Sequence, residues 1–493
     1  MRAILRLFDD LLNKYTMYRG MLYGLAGLLA IAEIMALADV ISISPVGLPI
    51  SIIILVVSCY ITNRAFSWLF RTPYNYESWL ISALILACIL PPATTPGRVM
   101  LVALCGVVAM ASKYLIVYRG SNVLNPVAAG TFVMSVTGLL PATWWIATPY
   151  LLPITVLGGI IILRKHRRFE LFFVFAATAL AVMLLNGYLN EQSLGEVARN
   201  AFLSWPIVFL GTIMLTEPST MPSTRQYRLL YGVIVGSVFA SQLHVGALSA
   251  TPQAALIVGN VFTVLAAPPL GAMMRLNRVT KLNANTYDLA FDKPKQLRFA
   301  PGQYMEWTLP HHATDDRGNR RTFSIASSPS ETDVHIGVKV YQPGSSFKKA
   351  LLAMEPGSYI RGAHVGGSFT LPADPKVPLV FIAGGIGITP FRSMLVSMVD
   401  AGVRRDVTLF YVASSQADFV YGAELAGAKA IGLQLHYVVG RLDEQLLQAN
   451  SSSFKHSQVY ISGPDGLVSH YKARLTDLGV PRGNIKTDHF TGY

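Results

Sequence analysis

Charge is scarce in this chain. Asp, Glu, Lys and Arg make up 14% of 493 residues and apolar side chains 52%, against about 25% and about 45–50% in an ordinary soluble domain. So low a charge excludes a wholly soluble globule and points to lipid. Cysteine is scarce too. Cys59, Cys88 and Cys105 sit in apolar stretches at spacings that fit neither a metal knuckle nor a disulfide framework, so they read as buried packing residues and no metal site is expected. Residues 282–493 contain no cysteine, which excludes an iron–sulfur cluster held by that part's own thiolates. Residues 1–281 contain two histidines, His166 and His244, too few for the two pairs of axial ligands that a pair of membrane haems needs.

The charge that is present is uneven. Residues 1–281 hold 19 Lys and Arg against 9 Asp and Glu, whereas residues 282–493 hold 21 against 18. Basic residues between apolar segments record membrane orientation, and no nucleic-acid partner is expected. Residues 1–20 scatter charges without an apolar core or a cleavage site, so they read as an interfacial amphipathic segment and not as a signal peptide. Ten apolar spans follow, at 21–40, 48–63, 77–92, 99–118, 122–140, 149–163, 169–188, 201–216, 229–248 and 253–272. With a cytoplasmic N-terminus, alternate loops place 17 basic residues inside and two, Arg98 and Arg199, outside. That bias predicts an even number of crossings in the cytoplasmic membrane and both termini in the cytoplasm, with a membrane domain over 21–275.

Two polar interruptions stand out, Ser121-Asn122-Val123-Leu124-Asn125-Pro126 and Thr216-Glu217-Pro218-Ser219-Thr220. Proline breaks a helix and frees backbone groups that need other partners. Paired breaks are how repeat-built membrane folds place a ligand site near the midplane. Glu33 lies within the first span and marks a candidate proton or cation path, whereas Asp39 is interfacial.

Past Lys281 short alternating runs bounded by Gly and Pro predict antiparallel strands, and a small β-barrel is expected over 282–372. From Val377 strands and helices alternate, which predicts a parallel sheet covered on both faces over 373–493. The turn Gly384-Gly385-Ile386-Gly387-Ile388-Thr389-Pro390 follows the first of these strands, where bare backbone amides can approach a pyrophosphate at a helix start.

The order of motifs resembles the ferredoxin–NADP reductase family: Pro301-Gly302-Gln303-Tyr304, Arg321-Thr322-Phe323-Ser324, Gly366-Gly367-Ser368-Phe369, the Gly384 to Pro390 turn, Ser462-Gly463-Pro464 and the terminal Phe490-Thr491-Gly492-Tyr493. The resemblance implies that Arg321 holds a phosphate of FAD, that Phe323 packs on the flavin with Thr322 beside it, and that Ser324 faces the ring nitrogen that accepts hydride. It implies amides from Gly366, Gly367 and Ser368 on the pyrophosphate. Gly384, Gly385, Gly387, Thr389 and Pro390, with Gly463 and Pro464, would bind the nicotinamide nucleotide, and Tyr493 would cover the flavin ring. Ser462 stands where the family usually has cysteine. The segment Val412-Ala413-Ser414-Ser415-Gln416-Ala417-Asp418 lacks a base for a 2′-phosphate, which favours NADH while leaving NADPH open.

Residues 15–275 resemble the membrane-protein family common to the sodium-translocating NADH:quinone reductase and the Rnf complex, through the Ser121 to Pro126 stretch and the segment from Met214 to Gly236. That resemblance implies FMN or another flavin in the membrane domain. The family's attachment sequence Ser-Gly-Ala-Thr is absent, so the flavin is expected to be noncovalent, beside Asn125, Glu217 and Thr220. The expected whole is a flavoprotein oxidoreductase that passes electrons from NAD(P)H through FAD and a membrane flavin to quinone, a downstream redox protein or an extracytoplasmic acceptor. The alternative is an ion-coupled transporter or pump that the reductase energises or regulates.

Overall fold

The computed structural model describes residues 17–490 apart from 71, 73–75, 246–247, 268–270, 313, 316–317, 342–343, 444 and 446–450. The interfacial segment expected over 1–20 falls almost wholly outside these residues, and so does Tyr493. The chain forms two units, 1–269 and 270–493.

In the first unit every expected span contains helix, but the helices are mostly shorter than the apolar runs. Met17–Leu37, Gly47–Leu69, Pro96–Leu115 and Phe169–Leu189 have 20 to 23 residues, about 30–35 Å at 1.5 Å per residue. By length and composition these four can cross a membrane, and Leu194–Leu203 with Ile207–Met214 makes a fifth if that pair, bent by 54°, is one span. Tyr76–Ile89, Pro126–Val136, Leu152–His166, Arg225–Ala240 and Pro252–Ala266 have 11 to 16 residues. Ten full crossings are therefore more than the helix lengths support. Proline is the cause at several ends: Pro126 and Pro252 open their helices, and Pro91 and Pro92 follow the end of Tyr76–Ile89.

The helices repeat. Gly47–Leu69, Tyr76–Ile89, Pro96–Leu115, a two-strand ribbon at Val117–Tyr118 and Ser121–Asn122, and Pro126–Val136 recur in order. The second set is Phe169–Leu189, the bent pair, Arg225–Ala240, a ribbon at His244–Val245 and Leu248–Ser249, and Pro252–Ala266. In both sets the first helix packs on the third and the third on the short last one. Each short helix opens on a side-chain cap, Asn125 Oδ1 accepting from the Ala128 amide at 3.0 Å and Thr251 Oγ1 from that of Ala254 at 3.3 Å. The Asn125 amide donates to Asn260 Oδ1 at 2.8 Å, and Gln253 Nε2 donates to Ser135 Oγ at 3.2 Å. The start of each short helix thus meets the later part of the other, so the two run antiparallel. The segments 121–126 and 216–220 are not equivalents in this repeat. The counterpart of the first is the ribbon and cap over 244–252, and that of the second is Leu90-Pro91-Pro92-Ala93-Thr94-Thr95.

The second unit begins earlier than expected. Strand Gly271–Lys281 lies in the barrel, paired with Tyr359–Gly366 and Thr286–Asp292. Its residues alternate, with Met274 and Leu276 buried at 1% and 0% exposure and Arg275 outward on Asp292 at 3.0 Å. Arg275, Arg278 and Lys281 are strand residues, so the orientation count falls from 17 inside to 14. Six antiparallel strands run in the order Arg320–Ser324, Tyr304–Thr308, Tyr359–Gly366, Gly271–Lys281, Thr286–Asp292, Asp333–Lys339. The edges approach where the Ala326 amide donates to the His335 carbonyl at 2.8 Å, and Trp307, Phe291, Leu289 and Ile336 fill the interior.

Beyond it lies a five-stranded parallel sheet ordered Leu433–Val439, Val407–Ala413, Leu379–Gly384, Gln458–Pro464, Ile485–Phe490. Its central strand shows why the apolar run is unbroken. Leu379, Phe381 and Ala383 enter the layer with helix Thr389–Asp400, while Val380 and Ile382 enter the layer with helix Asp465–Asp477. Both faces are covered, so period-2 alternation puts apolar residues on each.

Candidate functional site

A cleft of about 230 Å³ opens in the second unit between the barrel and the parallel sheet. Arg321, Thr322, Phe323 and Ser324, Gly337 to Lys339, and Lys348 line it from the barrel; Gly384, Gly385, Ile386, Thr389, Asp418 and Pro464 line it from the sheet. This is the carboxyl edge of parallel strands, where α/β sheets take their ligands.

Strand Leu379–Gly384 runs into a tight turn, Gly385–Ile388, and helix Thr389–Asp400 follows with Pro390 in its first turn. Gly387 is glycine because of crowding: a Cβ there would lie 2.4 Å from the Ser462 carbonyl oxygen and 2.8 Å from Gly463 Cα. Gly385 is glycine because its φ is +52°, with open space around the missing Cβ. The turn is thus held against the Ser462-Gly463-Pro464 strand end, and Thr389 Oγ1 donates back to the Ile386 carbonyl at 3.1 Å.

Arg321 is fixed before any ligand arrives. Nη1 donates to the Gly318 carbonyl at 3.0 Å, Nη2 to Asp315 Oδ1 at 3.3 Å, and the guanidinium lies 5.2 Å over the Phe347 ring. Phe323 packs beside Phe347 at 6.1 Å. Ser324, buried, donates from Oγ to Asp488 Oδ2 at 3.2 Å. Ser462 is fully buried, stands in register with Asp488 on the neighbouring strand, and its Oγ meets no hydrogen-bond partner among the described residues. Gly366, Gly367 and Ser368 sit apart from the cleft lining, at the end of a bulged strand. Gly366 pairs with Tyr304, which pairs with Ser324, and the Gly367 carbonyl accepts from Gln303 Nε2 at 3.2 Å.

Three features of the cleft were not foreseen. Asp488 lies inside the last strand, Ile485–Phe490, and only the fold brings it to Ser324. Lys339 Nζ meets Asp418 Oδ1 at 2.6 Å across the cleft and holds that carboxyl below its usual range. Lys348 donates to the Lys339 carbonyl at 2.8 Å, which adds a second cation to the barrel wall. Asp418 belongs to the segment searched for a base, and its acid was the signal there.

In the first unit Asn125, Glu217 and Thr220 do converge. Asn125 Nδ2 donates to Glu217 Oε2, Ser219 Oγ to Glu217 Oε1 at 2.8 Å, and Thr220 Oγ1 to Oε2 at 3.4 Å, while Asn260 Nδ2 reaches the Thr220 carbonyl at 3.3 Å. The cavity beside them, lined also by Tyr18, Ser82 and His166, is about 30 Å³, room for about two waters. Polar groups that satisfy one another beside so small a cavity do not fit a flavin ring in this conformation. Glu33 Oε2 is buried with no hydrogen-bond partner among the described residues.

The cleft, by contrast, is larger and brings together three cations, Arg321, Lys339 and Lys348, a glycine-rich turn at a helix start and a serine–aspartate pair, a donor set that suits phosphates and a flavin edge. A family model described as an oxidoreductase NAD-binding domain matches residues 381–473. An NADPH oxidoreductase of Mycobacterium tuberculosis is 31% identical over 221 residues, covering 42% of this chain and 57% of that protein. Ferredoxin–NADP reductase B of Sorangium cellulosum is 27% identical over 237 residues, covering 44% of this chain and 96% of that protein. The FAD/NAD-binding domain of a nitric oxide dioxygenase from Vibrio cholerae is similar at 20% identity and a TM-score of 0.39, over 44% of this chain and 98% of that one. The chain spans little more than half the length of the first of these relatives. The C-terminal unit is thus similar to ferredoxin–NADP reductase-type modules, and these likenesses support an NAD(P)H-dependent flavin oxidoreductase.

Proposed function

We propose that the chain is a membrane flavoprotein that takes electrons from NADH in the cytoplasm and passes them through its membrane unit to quinone, a downstream redox protein or an acceptor on the far side. The observation that carries this is covalent: a unit of apolar helices built as two repeats and a barrel that resembles the reductases belong to one chain. FAD bound in the cleft would accept two electrons as hydride and release them singly. Arg321, Lys339 and Lys348 would hold phosphates by charge-assisted bonds. Ser324, aimed by Asp488, would present its hydroxyl to the hydride-accepting edge of the flavin. The turn over 384–389 would orient the nucleotide against that edge and keep water from it. The segment over 412–418 carries an acid, Asp418, and no base for a 2′-phosphate, which supports NADH as the reductant.

A second, noncovalent flavin in the membrane unit is supported by the resemblance of residues 15–275 and not by the closed cluster at Glu217, so no step is placed there. Counting flavins per purified chain is the test. Two per chain are expected; one, together with NADH oxidation that no quinone analogue accelerates, would refute transfer through the membrane unit. Glu33, whose buried Oε2 meets no hydrogen-bond partner among the described residues, keeps the ion-coupled alternative in view. Proteoliposomes in which NADH oxidation builds an ion gradient that Glu33→Gln abolishes would favour it.

A further inference from the structure

We infer that Tyr421 and Asp288 are positioning residues that set the width of the cleft, and with it the approach of nicotinamide to flavin. The inference rests on the hydride reaction assigned to that cleft. Asp288 is a buried carboxylate on barrel strand Thr286–Asp292, held at both oxygens. Oδ2 contacts His335 Nδ1 at 2.7 Å on the next barrel strand, and Oδ1 accepts from the Tyr421 hydroxyl at 2.8 Å. Tyr421 comes from the nucleotide-binding side, in a left-handed conformation at φ +62°, where it opens helix Gly422–Gly427. A left-handed backbone at a buried tyrosine is held by its surroundings, and here the hydroxyl bond across the seam is one of the holds.

The place of this bond makes it more than packing. A Cβ on Gly337 would lie 2.6 Å from the Tyr421 hydroxyl, 2.6 Å from Thr389 Cγ2 and 3.2 Å from Ile386 Cδ1. Gly337 lines the cleft from the barrel, and Ile386 and Thr389 line it from the sheet. The two walls therefore meet at this bare backbone, and the Tyr421–Asp288 bond sits directly against it. Arg392 ties the other side of the same turn: Nη1 donates to the Ala326 carbonyl at 2.9 Å, Nη1 and Nη2 bind Glu331 at 3.0 Å each, and Nε reaches Glu424 at 3.1 Å. Its guanidinium lies 5.3 Å over the Tyr421 ring. With Arg392 fixing one end of helix Thr389–Asp400, loss of the tyrosine bond lets the turn swing away from the barrel strand without releasing the whole lobe.

The experiment is rapid-mixing reduction of the FAD-loaded full chain by NADH and by 4-deuterated NADH, in wild type, Tyr421→Phe, Asp288→Asn and His335→Gln. Flavin content and NADH affinity are measured alongside. Tyr421→Phe should keep flavin content and bind NADH within about twofold, yet slow flavin reduction about tenfold, weaken the flavin–nicotinamide charge-transfer absorbance and change the deuterium isotope effect, since small misplacements of reacting groups cost rate steeply. Asp288→Asn should do the same, and His335→Gln, which keeps a donor to Asp288, should retain most of the rate. An unchanged reduction rate and isotope effect in Tyr421→Phe, or a rate that falls only in step with lost flavin, overturns the inference. If wild type binds FAD but NADH does not reduce it, the hydride reading of the cleft fails instead.

Discussion

Gly387→Ala isolates one physical cause. Its φ is not in the left-handed region, so alanine is allowed by the backbone and only space forbids it. The new Cβ would stand 2.4 Å from the Ser462 oxygen and 2.6 Å from its carbonyl carbon. Both obstacles are backbone of a central strand that is paired on two sides, so no side chain can rotate away. Ordinary contact requires the turn and the strand to separate by about 1 Å. Overpacking of this kind costs about 1–3 kcal/mol, and rigid obstacles put it at the upper end. For a unit of this size each kcal/mol moves the melting temperature by about 2–4 °C, so flavin release on heating should come about 5–10 °C earlier. The same displacement moves the turn proposed to bind the nucleotide, so kcat/KM for NADH should fall by one to two orders of magnitude, about what a 1 Å misplacement costs. Gly385→Ala is the control: its Cβ meets open space, and it should cost only the left-handed penalty of about 1–2 kcal/mol. A Gly387→Ala chain with the wild-type melting temperature and kcat/KM would refute the argument that crowding holds this turn in place.

Ser324→Ala and Asp488→Asn should each slow flavin reduction by about 10–100-fold with flavin content unchanged, measured by rapid mixing. Arg321→Lys loses the planar fork that reaches Gly318 and Asp315, and its FAD should dissociate about 10–150-fold more readily, the worth of about 1.5–3 kcal/mol for bonds to a charged group, as read from flavin released on dilution. Burial, with Arg320 and Arg361 near, pushes the His364 imidazole below its ordinary value. The unfolded chain takes that proton near pH 6.5 and the folded barrel does so at lower pH, so stability is lost as pH falls below about 6.5, at no more than about 1.4 kcal/mol per pH unit. His364→Asn, which tolerates the φ of +52° there, should flatten that slope in thermal unfolding at pH 5.5 to 7.5. Asn125→Ala removes a helix cap and a Glu217 partner together, and should destabilise the detergent-solubilised chain by more than the about 1 kcal/mol of the cap alone, as read from denaturant unfolding.

The reductase half was legible because its constraints are local. The Gly384 to Pro390 turn, the Arg321 to Ser324 strand and the alternation of strand and helix after Val377 each show within a few residues, and their order along the chain limits what they can build. The partners of those motifs were not legible. Asp488 reaches Ser324 only because the last strand adds in parallel beside Gln458–Pro464, and Tyr421 reaches Asp288 only because a bare Gly337 lets two lobes close. Strand Gly271–Lys281 was missed for a different reason. Its inward residues are Met274 and Leu276, and the preceding helix is apolar as well, so in the sequence a short apolar helix and a barrel strand follow each other with no polar residue between them to mark the change.

The helical half shows why resemblance between two segments is a poor guide to equivalence. Ser121 to Pro126 and Thr216 to Thr220 both carry proline among polar residues, and both lie at helix ends, so pairing them as repeats is natural. The helix order gives each a different counterpart, and the antiparallel crossing of Pro126–Val136 and Pro252–Ala266 gives the reason. When one repeat is inverted against the other, the cap of the first short helix meets the later part of the second, here Asn125 on Asn260, and the breaks that touch come from different positions in their repeats. Glu217 then finds one partner across the repeat boundary, Asn125, and two beside it in its own repeat, Ser219 and Thr220. A carboxylate so fully bonded in a buried place keeps the two repeats in register, and a ligand at Glu217 would first have to break those bonds.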